Sequence, residues 1–396
     1  LIRSIYGYNF ELKQIDRASS VIPNFEGSTV FISETENISH FDLSTMADFY
    51  IHTKQQLGSV ILVNGEHNNN YVSEIQHVRR RETIAMTPIN CLAALNMLLG
   101  QQSVDTSIDQ LQANKSLVLA SIASITGSPT PALVASSGLS IQYAIMMGLI
   151  HDAIKNHPGK AVKFIVPPNC YGGTNDQARR VAACLDNVEV EDLPVDREHD
   201  MVQSIDRVLE RIALEDAIPY IIAEIPTNPR VEVPDLIQLK ETLAKERKTA
   251  SGTVAIAPVF ILDQTFCPNV HFLGEGKILS TVRAISYASG SKFPSGGQCT
   301  AGYCVGNQMA ATLMPKVALH LALCDNEATH LQYKFLAQQL PSMNQRIVDA
   351  YANTRKFVSF INEVLPEAKI NFVSEELASQ GFMPSVFSLD LPTQGN

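Results

Sequence analysis

The chain has 396 residues and a mass of 43.4 kDa, which corresponds to two or three domains of ordinary size. Hydrophobic residues make up 45% of the sequence, which allows a large buried core and excludes a wholly disordered chain. The formal charge of −10 disfavours a dedicated nucleic-acid binder, because such proteins usually carry a basic stripe.

Three further features of the sequence bear on where the protein works. No apolar run approaches the ~18 residues of a membrane-spanning helix, and the first residues lack the layout of a signal peptide. The seven cysteines are an odd number without a C-x-x-C pair, which is typical of free thiols rather than of a zinc site or a disulfide framework. We therefore expect a cytoplasmic protein with no metal and no membrane partner. Since the chain begins with Leu1 rather than Met, we also expect a fragment or a processed form.

The first hundred residues contain no catalytic motif. Short apolar runs at 28–32 and 60–63 predict strands, and the polar residues 67–70 predict a loop. The one dense basic run is formed by three consecutive arginines at 79–81. We interpret this run as a solvated face, with a contact to a phosphate or another anion as the alternative.

From about residue 115 the pattern changes to helices that alternate with short apolar strands. This alternation predicts a mainly parallel sheet covered by helices on both faces, with ligands at the carboxyl ends of the strands. After residue 306 the sequence is mainly helical to 365, and strand-like runs follow at 369–373 and 385–391, which predicts a smaller α+β domain. The predicted helices of the first part cover residues 117–125, 139–154, 176–184, 201–214 and 236–247, and its predicted strands cover residues 132–135, 162–166, 188–190, 220–225, 258–262, 284–287 and 303–305.

Three common signatures of nucleotide-binding proteins and hydrolases are missing. No G-x-G-x-x-G follows a predicted strand, so the dinucleotide fingerprint is absent. Neither Gly276-Lys277 nor Lys292 is followed by the Ser or Thr that completes a phosphate-binding loop. The residues around Ser137 do not form the G-x-S-x-G of a hydrolase nucleophile elbow.

Polar residues stand instead at the ends of several predicted strands. Ser137 and Gly138 open a helix directly after the strand at 132–135, which predicts either an anion site at the first N–H groups of that helix or a simple cap on Ser137. Tyr171 precedes two glycines on an exposed turn, where its ring would stack on a planar ligand or pack against the protein.

Three further strand ends carry an amide, a carboxylate and a lysine. Asn228 lies in Pro-Thr-Asn-Pro, which constrains the backbone around it. Asp263 ends a fully apolar strand, where a buried carboxylate is costly unless it meets a cation or a strong donor. Lys292 follows Ser289 and Ser291 in a loop of small residues, which is an unusual setting for a surface lysine.

Pyridoxal 5′-phosphate is a cofactor that needs all of these parts together. It requires a lysine for a Schiff base, an acid beside the pyridinium nitrogen, a phosphate cradle and an aromatic stacking face. Lys292, Asp263, the helix start at Gly138 and Tyr171 would supply them.

Five motifs in one order carry a resemblance to a known family. Residues 133–307 resemble the Cys/Met-metabolism (transsulfuration) family of pyridoxal-phosphate enzymes, which includes cystathionine γ-synthase, the cystathionine lyases and methionine γ-lyase. The family motifs SSGM, YGGT, ESPxNP, VDNTFATP and HSATK correspond here to residues 136–139, 171–174, 224–229, 262–268 and 287–292.

The resemblance implies a role for each site residue. Lys292 would form the Schiff base and then move protons between substrate carbons, and Asp263 would pair with the pyridinium nitrogen. Tyr171 would stack on the ring and would be a candidate acid–base for the leaving group, and Asn228 would bond the phenolic oxygen of the cofactor. The phosphate would be held by Gly138, Leu139, Ser289 and Ser291. The implied cofactor-binding set is Ser137, Gly138, Leu139, Tyr171, Asn228, Asp263, Thr265, Ser289, Ser291 and Lys292.

The chain also departs from the family pattern. The family has a segment whose Tyr and Arg reach the cofactor phosphate of the neighbouring subunit, whereas this chain has Asp109 and Leu111 ahead of Asn114. Gln264 replaces an asparagine and Gly297 replaces a histidine. The match ends near residue 389, short of the arginine with which the family binds the substrate carboxylate.

The resemblance implies the fold and the organisation of the chain. We expect the fold of the pyridoxal-phosphate transferases (fold type I), an α/β fold with a mainly parallel seven-stranded sheet, helices on both faces and a small carboxyl-terminal α+β domain. The expected division is a divergent amino-terminal segment at 1–110, a cofactor-binding large domain at 111–310 and a small, short or truncated domain at 311–396. Family members assemble around active sites at subunit interfaces, so we expect a homodimer or homotetramer.

The implied function is that of an enzyme of sulfur amino-acid metabolism. We expect cystathionine γ-synthase-like γ-replacement, in which cysteine or another thiol reacts with an activated homoserine such as O-succinyl- or O-acetylhomoserine. A lyase-type β- or γ-elimination is one alternative. The other is a divergent non-catalytic relative with a regulatory or assembly role, which the missing arginine and the short tail favour. The expected partner is a small amino-acid substrate and not a nucleic acid.

Overall fold

The structure of the chain is a computed structural model. It describes residues 30–33, 48–54, 58–70, 72–73, 91–92, 94–96, 99, 108–195, 200–324 and 326–390. The basic run at 79–81 lies outside the described residues, as do residues 28–29 of the first predicted strand.

A three-stranded sheet precedes the main part of the fold. Strand β1 (Val30–Ser33) pairs parallel to β2 (Phe49–Lys54), and β2 pairs antiparallel to β3 (Gly58–Val63). Both predicted strands are therefore confirmed, but the prediction of a loop at 67–70 is wrong. A 3₁₀ turn spans Glu66–Asn68 instead, and the Asn68 amide holds it by donating to the Asn64 carbonyl at 2.6 Å.

Seven strands form the central sheet in the order β4-β10-β9-β8-β7-β5-β6. The pairs β6/β5, β5/β7, β7/β8 and β8/β9 are parallel, whereas β10 runs antiparallel to both β9 and β4. The strands are β4 (Leu133–Ala135), β5 (Val162–Val166), β6 (Val188–Asp192), β7 (Ile218–Glu224), β8 (Val259–Asp263), β9 (Ala284–Ser289) and β10 (Gly302–Gly306). The prediction of a mainly parallel sheet is confirmed.

Helices connect and follow these strands. They are α1 (Ile108–Thr126), α2 (Gly138–Asn156), α3 (Gly172–Ala183), α4 (Met201–Leu214), α5 (Leu236–Ala244), α6 (Met314–Leu323), α7 (His330–Gln339), α8 (Met343–Val364) and α9 (Glu375–Ser379). A two-stranded antiparallel sheet of β11 (Lys369–Asn371) and β12 (Ser388–Asp390) lies near the end of the described chain. The division into domains at residues 110 and 310 stays a prediction.

Helix boundaries follow from local hydrogen bonds. Helix α4 begins after Asp200, whose carboxylate accepts the N–H groups of Val202 and Gln203 at 2.9 and 3.1 Å, as an N-cap does. Helix α5 ends three residues earlier than predicted, since Lys245 already has an extended backbone, and the Arg247 guanidinium donates to the carbonyls of Thr242 and Lys245. Among the residues that the structure describes, no helix combines the length and the apolar character needed to cross a membrane.

Alternate residues of the central strands enter two separate cores. In β7, Tyr220 and Ile222 pack with α2, α3 and α6 on one face of the sheet, whereas Ile221 and Ala223 pack with α1, α4 and α5 on the other. Every residue of β5, β7, β8 and β10 is buried. Burial on both faces explains why these strands read as continuous apolar runs in the sequence.

The direction of β10 determines which loops meet at the functional edge of the sheet. Because β10 is antiparallel to its neighbours, its first residue, Gly302, pairs with Ser289 of β9 and with Ala135 of β4. The carboxyl ends of β4, β7, β8 and β9 therefore lie beside the amino-terminal end of β10. Polar residues that follow different strands are gathered at one edge, which is where parallel sheets bind ligands.

Helices α2 and α6 cross closely at Gly148. A Cβ atom at this glycine would lie 2.8 Å from the backbone nitrogen of Val317 and 2.9 Å from its Cα. Backbone atoms cannot move aside as a flexible side chain can. The close crossing of the two helices therefore depends on the absence of a side chain at residue 148.

We expect Gly148→Ala to destabilise the protein by about 1–3 kcal/mol, because overpacking forces two helices apart. In an open helix the same change would be stabilising by ~1 kcal/mol. Gly172→Ala is the matched control, since a Cβ at Gly172 would meet nothing within 4 Å. Urea unfolding measures both free energies, and equal stability of Gly148→Ala and the wild type would show that the helices cross less tightly than described.

Candidate active site

The start of helix α2 lies beside the end of β9, at the functional edge of the sheet. The Ser137 side chain accepts the N–H of Ser140 at 3.0 Å, so the predicted cap is present. The first N–H groups of a helix have no partner within it, and those of Gly138 and Leu139 are not capped by Ser137. A Cβ at Gly138 would lie 3.0 Å from the Ser289 Cβ, which shows how closely the helix start approaches the end of β9. A cap and an anion site are thus compatible here, because different N–H groups serve them.

A cavity of about 320 Å³ opens at this edge of the sheet. All ten residues of the predicted cofactor-binding set line it: Ser137, Gly138, Leu139, Tyr171, Asn228, Asp263, Thr265, Ser289, Ser291 and Lys292. Seven further residues complete its lining: Gln142, Thr174, Glu224, Pro226, Phe266, Tyr287 and Thr300. The structure thus brings the ten residues together and adds their neighbours, while their roles toward a cofactor stay a prediction.

Tyr171 lies at the start of helix α3 rather than on a free turn. The helix begins at Gly172, four residues earlier than predicted, and Tyr171 is its N-cap. The residue is 51% exposed, and its side chain lines the cavity described above. A Cβ at Gly173 would lie 2.6 Å from Cε1 of Tyr171 and 3.0 Å from Leu139, so this glycine makes room for the ring.

Two carboxylates meet at the ends of neighbouring strands. Glu224 of β7 and Asp263 of β8 are register partners, and both are buried. Oε1 of Glu224 accepts the backbone N–H of Tyr171 at 2.8 Å, but its buried Oε2 has no partner among the described residues. Oδ1 of Asp263 accepts the backbone N–H of Thr265 at 2.8 Å, and the hydroxyl of Thr265 accepts the backbone N–H of Ser289 at 2.9 Å.

The surroundings of the two carboxylates favour ionisation of Asp263 over that of Glu224. Burial raises the pKa of Asp263, but Thr265, Tyr287 and the positive charge of Lys292 oppose this shift. Burial also raises the pKa of Glu224, and the charge of Asp263 raises it further, to about 8. Two adjacent carboxylates resist double ionisation. Asp263 is therefore better able than Glu224 to carry a negative charge, because Lys292, Thr265 and Tyr287 stabilise its ionised form.

A buried polar cluster beneath the cavity was not predicted from the sequence. Oε1 of Gln142 accepts the hydroxyl of Thr174 at 2.9 Å and that of Tyr287 at 2.8 Å. Gln142 and Tyr287 are both almost fully buried. Their signal in the sequence is weak: Gln142 is a polar residue in an apolar helix, and Tyr287 is an aromatic residue in an apolar strand.

A second glutamine supports the loops of the site from behind. The Gln332 amide, on helix α7, donates to the Ser136 carbonyl at 2.8 Å and to the Thr300 carbonyl at 2.6 Å. Gln332 is fully buried, and its own carbonyl accepts the backbone N–H of Thr329. Helix α7 is thus bonded to the loop after β4 and to Thr300, two residues before β10.

The residues that depart from the family pattern lie in a turn, in a regular helix and in a loop. Gln264 is buried, and its amide donates to the Val270 carbonyl at 2.8 Å, which shapes the turn after β8. Leu111 and Asn114 lie within helix α1. Gly297 is exposed, with a φ of 78° in the left-handed region that favours glycine.

Comparison with solved structures identifies the fold. Cystathionine γ-lyase from yeast aligns with 65% of this chain at 17% identity and a TM-score of 0.50. The cystathionine γ-lyase CalE6 from Micromonospora echinospora aligns with 70% of the chain at 17% identity, and metB from Corynebacterium glutamicum with 74% at 16% identity, each at a TM-score of 0.52. This chain has their fold. It spans 58% of the yeast protein, 66% of CalE6 and 69% of metB.

The comparison confirms the predicted fold class, a fold type I architecture built on a mainly parallel seven-stranded sheet. No model of a known family matches the sequence, and no curated protein matches it. Among the described residues, no cluster of His, Cys, Asp and Glu has the arrangement of a metal site.

The raised pKa of Glu224 predicts a pH-dependent stability. A carboxyl group whose pKa is raised by folding binds its proton more tightly in the folded state. Its contribution to the free energy of unfolding is complete below its ordinary pKa of 4.5 and is lost as the pH rises to about 8. We expect the wild type to lose stability over this range more steeply than Glu224→Gln, by up to about 1.4 kcal/mol per pH unit.

Urea unfolding at several pH values measures this difference. Glu241→Gln removes an exposed carboxylate and is the matched control, with a slope equal to that of the wild type. Parallel slopes for the wild type and Glu224→Gln would mean that Glu224 is ionised throughout.

Proposed function

We propose that the protein is a pyridoxal-phosphate-dependent enzyme of sulfur amino-acid metabolism. The observation that carries the proposal is that Lys292, Asp263, Tyr171, Asn228 and the helix start at Gly138 line one cavity, although they follow different strands. The likeness of the fold to cystathionine γ-lyases and metB adds support.

The residues present fit this cofactor. The N–H groups of Gly138 and Leu139 and the hydroxyls of Ser289 and Ser291 would hold a phosphate, and the close approach of Gly138 to Ser289 leaves no room there for a side chain. The negative charge favoured at Asp263 suits a protonated ring nitrogen. The orphaned Oε2 of Glu224 shows that the cavity still holds a polar group without a protein partner.

The protein groups divide the work of binding and proton transfer. When bound, the cofactor supplies an electron sink for a carbanion at the substrate Cα. Lys292, which is exposed in the cavity, would bind the cofactor and then take a proton from Cα. Tyr171 would cover one face of the ring and hold or give a proton at the leaving group. Asp263 would keep the ring nitrogen protonated. Thr265, whose hydroxyl accepts the backbone N–H of Ser289, would hold Asp263 in place.

The reaction we favour is γ-replacement on an activated homoserine by a thiol, as in cystathionine γ-synthase. Elimination at Cβ or Cγ, as in cystathionine and methionine lyases, uses the same residues and is the alternative activity. By the same resemblance the protein would be a cytoplasmic homodimer or homotetramer, with a cofactor-binding domain at 111–310 and a small domain at 311–396.

A non-catalytic relative is the second candidate. The observation in its favour is that Leu111 and Asn114, in the segment where the family has its phosphate-clamping Tyr and Arg, lie in a regular helix. A protein of this kind would bind the cofactor weakly and turn over no amino acid.

Borohydride trapping tests the cofactor assignment. We expect the wild type, incubated with pyridoxal phosphate, to show a visible absorption band and to yield a reduced adduct that peptide mapping places on Lys292. Lys292→Ala should lose both signals, and Lys277→Ala, which removes an exposed lysine, should keep both. An adduct spread over several lysines, or one retained in Lys292→Ala, would refute the assignment.

Two substitutions separate the proposed roles of Tyr171. Phenylalanine keeps the ring but removes the hydroxyl. We therefore expect Tyr171→Phe to bind the cofactor normally and to turn over substrate about 10²-fold more slowly. Tyr171→Ala should also weaken cofactor binding, because it removes the stacking face. The measurements are the affinity for pyridoxal phosphate, the rate at which a thiol replaces acetate on O-acetylhomoserine, and the rate of keto-acid release from cystathionine. Unchanged turnover in Tyr171→Phe would exclude proton transfer by this hydroxyl.

A further inference from the structure

A second cavity, of about 300 Å³, lies at the edge of the central sheet opposite to the candidate active site. Its lining includes Pro219 near the start of β7, Pro258 just before β8 and Arg283 just before β9. The carboxyl-terminal ends of the same three strands carry the candidate active site. A strand of five residues such as β8 spans roughly 17 Å, and no residue lines both cavities, so the two sites are separate.

Most of the wall of this second cavity is apolar. Helices α4 and α5 and the residues before β8 and β9 supply it, and Leu209, Leu243 and Val282 are buried there. Val254 and Met309 also line the cavity but are 62% and 52% exposed, although both side chains are large and apolar. Apolar surface inside a concave site suits the apolar part of a small molecule.

Two of the cations that line the cavity are already paired. Nζ of Lys245 lies 3.0 Å from the carboxylate of Asp206 and 2.8 Å from that of Glu210, both on α4. Nη2 of Arg247 lies 2.5 Å from the Asp206 carboxylate, and Nη1 donates to two backbone carbonyls. Lys245 and Arg247 therefore bind the end of α5 to α4, and their charges are balanced within the protein.

Arg283 is the remaining cation of the lining. It is partly buried, and its guanidinium has no hydrogen bond or ion pair with any residue that the structure describes. A partly buried cation without a counter-ion attracts an anionic ligand. The other arginines of the described chain that are at least partly buried each have an interaction partner: Arg180, Arg230, Arg247, Arg346 and Arg355.

The charges around Arg283 favour a ligand with a single negative charge. Glu246 also lines the cavity; it is exposed, and no ion pair joins these two described residues. A ligand with several negative charges would be repelled by Glu246, whereas one negative charge is matched by Arg283. The planar donors of a guanidinium fit the two oxygens of a carboxylate. A monocarboxylate therefore suits this site.

The volume of the cavity limits the size of the apolar part. A cavity of about 150 Å³ is large enough to hold one benzene molecule. A cavity of about 300 Å³ therefore accommodates roughly ten to twelve non-hydrogen atoms. An aliphatic carboxylate of about eight carbons is within this limit.

We propose that this second cavity binds a small aliphatic monocarboxylate, whose carboxylate pairs with Arg283 and whose chain packs against the apolar wall. The proposal goes beyond the proposed function and does not depend on it, because the two cavities share no residue. A ligand bound here would lie against the amino-terminal ends of β7 and β8, which carry Glu224 and Asp263 at their other ends.

Isothermal titration calorimetry of the full chain near neutral pH tests the proposal, with octanoate as the probe. Octanamide has the same apolar chain without the charge and is the matched neutral probe. We expect octanoate to bind, and octanamide to bind about tenfold more weakly or not at all, because it cannot form the charged hydrogen bonds with Arg283.

Substitutions assign the binding to Arg283. We expect Arg283→Gln to weaken octanoate binding about tenfold or more, as loss of a charged hydrogen-bonding partner does. Arg207→Gln removes an exposed arginine of α4 that does not line the cavity, and it should leave the affinity unchanged. Thr281→Glu places a carboxylate at an exposed position of the lining, two residues from Arg283, and should abolish octanoate binding by charge repulsion.

The outcomes decide the proposal. If Arg283→Gln unfolds early, Thr281→Glu gives the answer with Arg283 in place. Equal affinities of the wild type for octanoate and octanamide would overturn the proposal, and so would failure of octanoate to bind. Equal octanoate affinities in the wild type, Arg283→Gln and Thr281→Glu would place the binding elsewhere and would also overturn it. Borohydride trapping at Lys292 reports separately on the proposed function, since Lys292 does not line this cavity.

Discussion

The register between β7 and β8 is the constraint on which the candidate site depends. It places Glu224 directly beside Asp263 in a buried setting, where simultaneous ionisation of the two carboxyl groups is unfavourable. Asp263 has the donors and the nearby lysine that stabilise an anion, whereas Glu224 has only backbone donors, from Tyr171 and Asn228, and no cation beside it among the described residues. A shift of one residue in this pairing would turn one of the two side chains to the opposite face of the sheet. The pairing of two apolar strands thus makes the ionisation of each carboxylate depend on the other.

Because strand β10 is antiparallel, the loop that leads into it lines the candidate site. A parallel strand in that place would need a long crossover, and its first residues would lie at the opposite edge of the sheet. Because β10 is reversed, the short loop from Lys292 to Gly302 stays at the functional edge and brings Thr300 into the cavity.

The parts of the site that follow strands could be predicted from the sequence, and the reason is physical. A polar residue after an apolar run marks a strand end, and the ends of parallel strands meet, so the sequence alone allows Asn228, Asp263 and Lys292 to be grouped. Gln142 and Gln332 could not be grouped with them, because they lie on helices whose packing determines what they face. The early start of α3 was missed for a related reason: two glycines predict a turn, but here they open a helix whose first turn packs against Tyr171 and Leu139.

The two hydrogen bonds of Gln332 couple parts of the chain that are distant in sequence. One amide group holds the carbonyls of Ser136 and Thr300, which flank the first residues of α2 and the start of β10. A small rotation of α7 would therefore move both backbone segments together and change the width of the opening between them. The position of helix α7 therefore controls the distance between these two segments. A displacement of the carboxyl-terminal helices that moves α7 would therefore shift the backbone where a phosphate is expected to bind, without any contact between those helices and the ligand.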